Sequence, residues 1–120
     1  MIKLCGTKKV RVIENISYHN PLASVCIQAY NHEKTIKRCL DSILLQKTDF
    51  DYEILIGEDC SNDQTRSICA EYAQRYPSKI RLFLHDRSNN IKIDGRPTGR
   101  YNFIYNLNSC RGKYIALCDG

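Results

Sequence analysis

Apolar positions fall along this chain in two alternating patterns: short, nearly continuous runs, and stripes spaced by three and four residues. The runs are LASVCIQA from Leu22, YEILIG from Tyr52, IRLFL from Ile80 and YIALC from Tyr114. Runs this short, rich in β-branched and aromatic residues, predict strands covered on both faces. After the first run, Ile36, Cys39, Leu40, Ile43 and Leu44 recur at i, i+3, i+4, i+7 and i+8, the apolar stripe of a helix, with Asn31 as its expected N-cap. After the second, Ile68, Cys69, Tyr72 and Tyr76 share a helical face that Pro77 closes, and Ser61 and Gln64 have the spacing of a capping box. RYNFIYNLNSC, before the fourth run, predicts a shorter helix with Phe103, Ile104 and Leu107 inward and Gly112 at its C′ position.

Two segments stand outside this alternation. Residues 1–20 have little apolar periodicity and read as an N-terminal extension with a short strand near Val10–Ile13, so the folded domain is expected over residues 21–120. Residues 85–98, HDRSNNIKIDGRPT, are polar and basic and read as a long surface loop. A connection of that length without structure of its own is uncommon and often functional, and its scarcity of apolar anchors predicts mobility in the absence of ligand. The order β-α-β-α-β-loop-α-β predicts an α/β fold: a mainly parallel sheet between two helical layers, with right-handed crossovers and strand order third, second, first, fourth. Ligands in such folds bind beyond the carboxyl ends of the strands, where strand order reverses.

Composition narrows the classes. The 120 residues amount to one domain, and 42% hydrophobic with 26% charged residues is ordinary for a globular protein. No apolar run approaches the roughly 18–20 residues that span a bilayer, and the N-terminus lacks the apolar core of a secretory signal. Seven cysteines at irregular spacing, with no CxxC pair, favour a reducing cytosol over a disulfide framework or zinc site. A net charge of +5 suits an anionic ligand, a nucleic acid or an acidic membrane surface, or solubility alone. A dinucleotide-dependent dehydrogenase needs GxGxxG after the first strand, and QAYNHE stands there instead. A nucleic-acid or nucleotide-binding module without chemistry is the alternative, but such readers interleave aromatics with basic residues and the basic loop has none.

The carboxyl ends of the runs carry the candidate chemistry. The first ends in Gln28-Ala29-Tyr30-Asn31-His32-Glu33, the second in Glu58-Asp59-Cys60-Ser61-Asn62-Asp63, the fourth in Asp119. Tyr30 has a face on which a base can stack, Asp59 can accept hydrogen bonds from a base or ribose edge, and Asp119 offers the hard oxygens that a divalent cation shares with phosphates. Each also has an ordinary structural role: Asp59 and Ser61 as turn and cap, Tyr30 as core, Asp119-Gly120 as a turn.

SVCIQAYNHEKTIKRCLDSILLQKTDFDYEILIGEDCSNDQT resembles the opening of the inverting glycosyltransferase family 2, with its strand, Thr-Tyr-Asn, helix, aromatic-Glu-Ile strand and Asp-Asp-Gly-Ser-x-Asp-x-Thr. RGKYIALCDG resembles the strand leading into that family's Asp-x-Asp metal motif, so the resemblance covers roughly residues 22–120. It implies a GT-A, Rossmann-like three-layer fold, truncated here, and transfer of a sugar from a nucleotide-sugar donor, a UDP-sugar foremost, to a glycan, lipid or protein hydroxyl in cell-surface glycan synthesis. By matching position, Tyr30 is similar to the family's base-stacking tyrosine and Asp59 to the second acidic residue of the Asp-Asp pair, which contacts the base. Gln28 replaces the usual Thr, Glu58 the first Asp and Cys60 the usual Gly. The implied nucleotide-binding set is Gln28, Tyr30, Asn31, Glu33, Asp59 and Arg100, and Arg87, Lys92 and Arg96 are further candidates to approach the diphosphate. Asp119 matches the first Asp of the metal motif, for Mg²⁺ or Mn²⁺. The chain ends inside that motif, so the expectation is a cytoplasmic fragment, peripheral to the membrane at most in the full-length enzyme. Its general base lies beyond Gly120, and its bare face is open to self-association.

Overall fold

The computed structural model describes residues 2–5, 8–14 and 20–120; residues 1, 6, 7 and 15–19 of the expected extension lie outside them. Strands β1 (Ile2–Cys5), β2 (Lys8–Ile13), β3 (Ala23–Ala29), β4 (Tyr52–Glu58), β5 (Ile80–His85) and β8 (Tyr114–Asp119) form one sheet in the order β1-β2-β5-β4-β3-β8. The four strands read from the apolar runs are mutually parallel and stand in the expected order, while β1 and β2 extend the sheet antiparallel beyond β5. Residues 10–13 are thus part of the sheet, Val10 facing His85 and Val12 facing Phe83.

Strand alternation sends side chains to two cores. Ile27, Ala29, Ile54, Ile56, Leu82 and Leu84 pack beneath α1 (Ile36–Leu44) and α2 (Thr65–Arg75). Val10, Val12, Leu55 and Phe83 pack on the opposite face against Tyr101, Tyr105 and Cys110, from and just after α3 (Arg100–Ser109). The sheet is therefore the middle of three layers. β3-α1-β4-α2-β5 runs one way across it, and α3 then returns the chain over the other face to β8, on the far side of β3. Strand order reverses between β3 and β8.

A polar network pins the amino ends of the strands. Buried Glu53 accepts from Ser24 Oγ at 2.7 Å, Arg111 N at 2.8 Å and Arg81 Nη1 at 3.2 Å, and Arg81 also reaches Glu14 at 2.8 Å and the Ser109 carbonyl at 2.7 Å. Gly112 belongs to this network rather than to a helix cap: a Cβ there would lie 2.6 Å from the Ala23 and Ser24 backbone. With this end secured, the opposite, carboxyl end is left to loops.

Several local expectations are corrected. Helix α1 starts at Ile36, with Thr35 before it and no side-chain cap, because Asn31 sits in the left-handed region (φ 55°) and spends its side chain on Asn62 N. Gln64, not Ser61, precedes α2, and it is Asp63 that accepts from Thr65 N while Ser61 Oγ accepts from Asn31 N. Helix α3 turns Asn102 and Asn106 inward and leaves Ile104 46% exposed. Strand β8 is an edge of the described sheet, so its apolar run is open: Tyr114 is 59% and Leu117 61% exposed. Residues 85–98 are not a structureless loop. They hold a 3₁₀ turn (Arg87–Asn89) with Asn89 buried, then a hairpin of β6 (Lys92–Ile93) and β7 (Arg96–Pro97). Its two turn residues, Asp94 (φ 52°) and Gly95 (φ 75°), have the positive φ that an Asp-Gly hairpin turn requires.

Candidate functional site: a cleft at the reversal of strand order

Beyond the carboxyl ends of β3, β4 and β8 opens a cleft of about 320 Å³ lined by Gln28, Ala29, Tyr30, His32, Asp59, Gly99, Asn102 and Asp119. Four of the sequence-derived candidates, Gln28, Tyr30, Asp59 and Asp119, thus share one cleft. Register explains part of this, since Gln28 and Asp119 are Cα partners in neighbouring parallel strands. Arg100 lies next door, in a groove with Gln28, Gly99, Phe103 and Ile104. Asn31 and Glu33 serve the loop between β3 and α1. Asn31 bonds Ser61 and Asn62, and Glu33 accepts from Gln64 N at 3.0 Å while its own N–H donates to Asp63. These bonds tie that loop to the one between β4 and α2, the two walls of the cleft. Lys92 and Arg96 project from the exposed hairpin.

The turn after β4 divides the labour of its two acidic residues. Glu58, fully buried, accepts from Cys60 N at 3.1 Å, Ser61 N at 2.9 Å and Arg66 Nε at 2.5 Å, so its charge organises the turn. Asp59 is left to face the cleft. Cys60, where the family usually has Gly, carries φ 59°, so the turn has the backbone a glycine would give. Asn90, with its amide oriented to match its neighbours, donates Nδ2 to both Asp59 carboxylate oxygens (2.9 and 3.2 Å) and accepts from Arg87 Nη1 at 3.2 Å. Burial raises the Asp59 carboxyl above the ordinary aspartate range, with the Arg87 charge pulling the other way. The Arg87 guanidinium lies over the Tyr30 ring, 4.5 Å from its centroid.

His32, Asn90 and Asn102 were not singled out from sequence. His32 Nδ1 accepts from Tyr30 N at 3.4 Å and its own N–H donates to Thr65 Oγ1 at 2.8 Å. Asn102 donates to the Gly57 carbonyl at 2.8 Å and Asn106 to the Ile27 carbonyl at 3.1 Å, which brings α3 against the sheet below the cleft. An asparagine pair four apart on a helix is the signal that was there to find. For a metal, Asp119 offers hard carboxylate oxygens, the right chemistry for Mg²⁺ or Mn²⁺. Among the described residues no group of three His, Cys, Asp or Glu gathers around an ion, so Asp119 fits as one ligand of such a site and not as the whole.

A mainly parallel sheet as the middle of three α/β/α layers is the architecture of a GT-A domain. The chain belongs to glycosyl transferase family 2, whose profile matches residues 24–120. It is 39% identical over 97 residues to an uncharacterized protein of Mycobacterium tuberculosis, covering 81% of this chain and 26% of that protein. It is 34% identical over 100 residues to the uncharacterized glycosyltransferase EpsJ of Bacillus subtilis, covering 83% and 26%. It is 35% identical over 99 residues to the chondroitin synthase of Escherichia coli, covering 82% and 13%. The chain spans about a quarter or less of the length of these relatives (26%, 26% and 13%). Among the described residues no helix is long and apolar enough to cross a membrane.

Proposed function

We propose that these 120 residues supply the donor half of an inverting glycosyltransferase, binding a nucleoside diphosphate sugar, with uridine as the base, in the cleft at the reversal of strand order. The observation that carries this reading is the juxtaposition of Tyr30, Asp59 and Asp119 along one cleft. Tyr30 provides a stacking face, Asp59, held by Asn90, accepts from a base N–H, and Asp119 contributes to a divalent ion that neutralises the departing diphosphate. In this reading Gln28, which lines the cleft, and Arg100, in the adjoining groove, orient ribose and phosphates. Asn31 and Glu33 act on this site by bracing its loops. An inverting transfer also needs a base to take the acceptor hydroxyl's proton as it attacks the anomeric carbon. That residue, and the acceptor site for a glycan, lipid or protein hydroxyl, belong to the longer enzyme, as does a role in cell-surface polysaccharide synthesis at the cytoplasmic side of the membrane.

The test is titration of the chain with UDP, CDP and GDP in the presence of Mn²⁺. UDP is expected to bind weakly but in preference to the others, and Asp59→Asn to lower its affinity about tenfold, the loss of one hydrogen bond to a charged group. Equal binding of all three, or none, overturns the reading. The chain alone is expected to release no diphosphate from a UDP-sugar. Exposed Tyr114, Ile115 and Leu117 on β8 favour pairing of two copies of the isolated chain, which sedimentation reads directly.

A further inference from the structure

Arg87 belongs to the 3₁₀ turn after β5, apart from the strands and helices that build the cleft, yet its side chain reaches the cleft's two recognition groups. Its guanidinium covers the Tyr30 ring at 4.5 Å, and its Nη1 donates to the Asp59 carbonyl at 3.3 Å and to Asn90 Oδ1 at 3.2 Å. Asn90 in turn holds the Asp59 carboxylate. One cation therefore rests on the aromatic face beside the very carboxylate that would read a base. A flat base inserted between ring and guanidinium would need about 7 Å, two stacking separations, and the observed gap is 4.5 Å. A base and Arg87 therefore compete for this face of Tyr30.

We propose that Arg87 is a specificity residue that exchanges partners on binding. In the free protein it covers Tyr30; when a base takes the ring, the guanidinium transfers to the diphosphate of the same ligand. This rests on the nucleotide reading above and adds what that reading lacks, a reason for the site to reject unphosphorylated nucleosides. A nucleoside must displace Arg87 from the ring and offers the cation nothing in return. A nucleoside diphosphate replaces a cation–π contact with charge-assisted hydrogen bonds, which are stronger and bidentate for a guanidinium. The backbone need not move: Asp86 Oδ1 accepts from Ser88 N at 2.9 Å and Asn89 is buried, so the turn is anchored while the long side chain swings.

The experiment titrates the 120-residue chain with uridine and, separately, with UDP, following the Tyr30 ring and Arg87 Nε resonances by NMR, a measurement that reads dissociation constants into the millimolar range. On saturation with UDP the Arg87 Nε resonance shifts as it leaves the ring. Arg87→Ala is expected to tighten uridine about two- to fivefold by uncovering Tyr30 and to weaken UDP about tenfold or more. The UDP-over-uridine preference then falls at least about twentyfold, the product of the two changes. Arg87→Lys keeps the charge but loses the planar, bidentate fork, so its UDP-over-uridine preference is expected to fall between that of Arg87→Ala and that of the parent. A parallel loss of uridine and UDP affinity in Arg87→Ala, with its amide spectrum still folded, would show that Arg87 merely braces the site and would overturn the proposal. An unmoved Arg87 resonance at UDP saturation would overturn it as well. Failure of the parent chain to bind either ligand sinks the nucleotide reading itself; binding with an unchanged preference in Arg87→Ala sinks only this inference.

Discussion

Asn102 on α3 donates its amide to the Gly57 carbonyl at 2.8 Å, through a space that exists only because residue 57 has no side chain. A Cβ at position 57 would lie 1.7 Å from Asn102 Oδ1 and 2.8 Å from Asn106 Nδ2. This close approach seats α3 on the sheet and brings Asn102 into the cleft wall. Gly57→Ala is expected to cost about 3 kcal/mol, at the upper end of overpacking effects, because both asparagines are buried and any shift away from the new methyl breaks their bonds to the Gly57 and Ile27 carbonyls. Urea unfolding checks it. The double variant with Asn102→Ala should recover at least about 1 kcal/mol relative to the sum of the singles, since the two positions touch.

Glu58 and Arg66 form a pair of unequal exposure: the carboxylate is 0% and the guanidinium 37% exposed. Glu58→Gln removes the charge that Arg66, Cys60 N and Ser61 N share and is expected to destabilise by about 2–4 kcal/mol, the lower range because Arg66 keeps access to water. Arg66→Ala should cost more, since it strands a fully buried carboxylate and also frees the His85 carbonyl, to which Arg66 Nη2 donates at 2.7 Å. Chemical denaturation of the two variants ranks them; the reverse order would mean that the turn amides, not Arg66, carry the Glu58 charge.

Cys60 holds a left-handed backbone, φ 59°, without being glycine. That conformation costs an L-residue about 1–2 kcal/mol, and glycine's extra freedom in the unfolded chain returns about 0.5–1 of it. Cys60→Gly is therefore expected to stabilise by about 0.5–1 kcal/mol, the difference of those terms, visible as a higher Tm. Cys60→Val, β-branched, should destabilise.

His85 is packed edge-on to Tyr101 and Tyr105, with ring centroids at 5.6 and 5.1 Å. Burial drives its pKa down to about 4, against an ordinary 6.5, with the Glu58 charge opposing and the Arg66 charge adding to the effect. The unfolded chain therefore takes up a proton between pH 6.5 and 4 that the folded chain refuses. Stability from this group is complete above pH 6.5 and is lost as pH falls toward 4, by up to about 3 kcal/mol. Denaturation midpoints measured from pH 7 to 4 should fall along that course, and His85→Phe should flatten it.

How much of this was readable in advance depends on the range of the forces involved. The four parallel strands, the three crossover helices and the order β5-β4-β3-β8 follow from apolar period and connection handedness, which are local or nearly so. The convergence of Tyr30, Asp59 and Asp119 was legible for the same reason: each closes a strand of one parallel sheet, so all must emerge at one edge. The Asp94-Gly95 hairpin was also written in the chain, as a turn dipeptide inside the segment that reads as a loop. Tertiary structure alone decided which face of α3 turns inward, because the buried asparagine amides there donate to the Gly57 and Ile27 carbonyls, 45 and 79 residues away. It alone placed Arg87 on Tyr30 and set Glu58 to bracing the turn while Asp59 faces the cleft. Hydrophobic period is a property of neighbouring residues and survives in the sequence, whereas the partner of a buried polar group is chosen by distance in space.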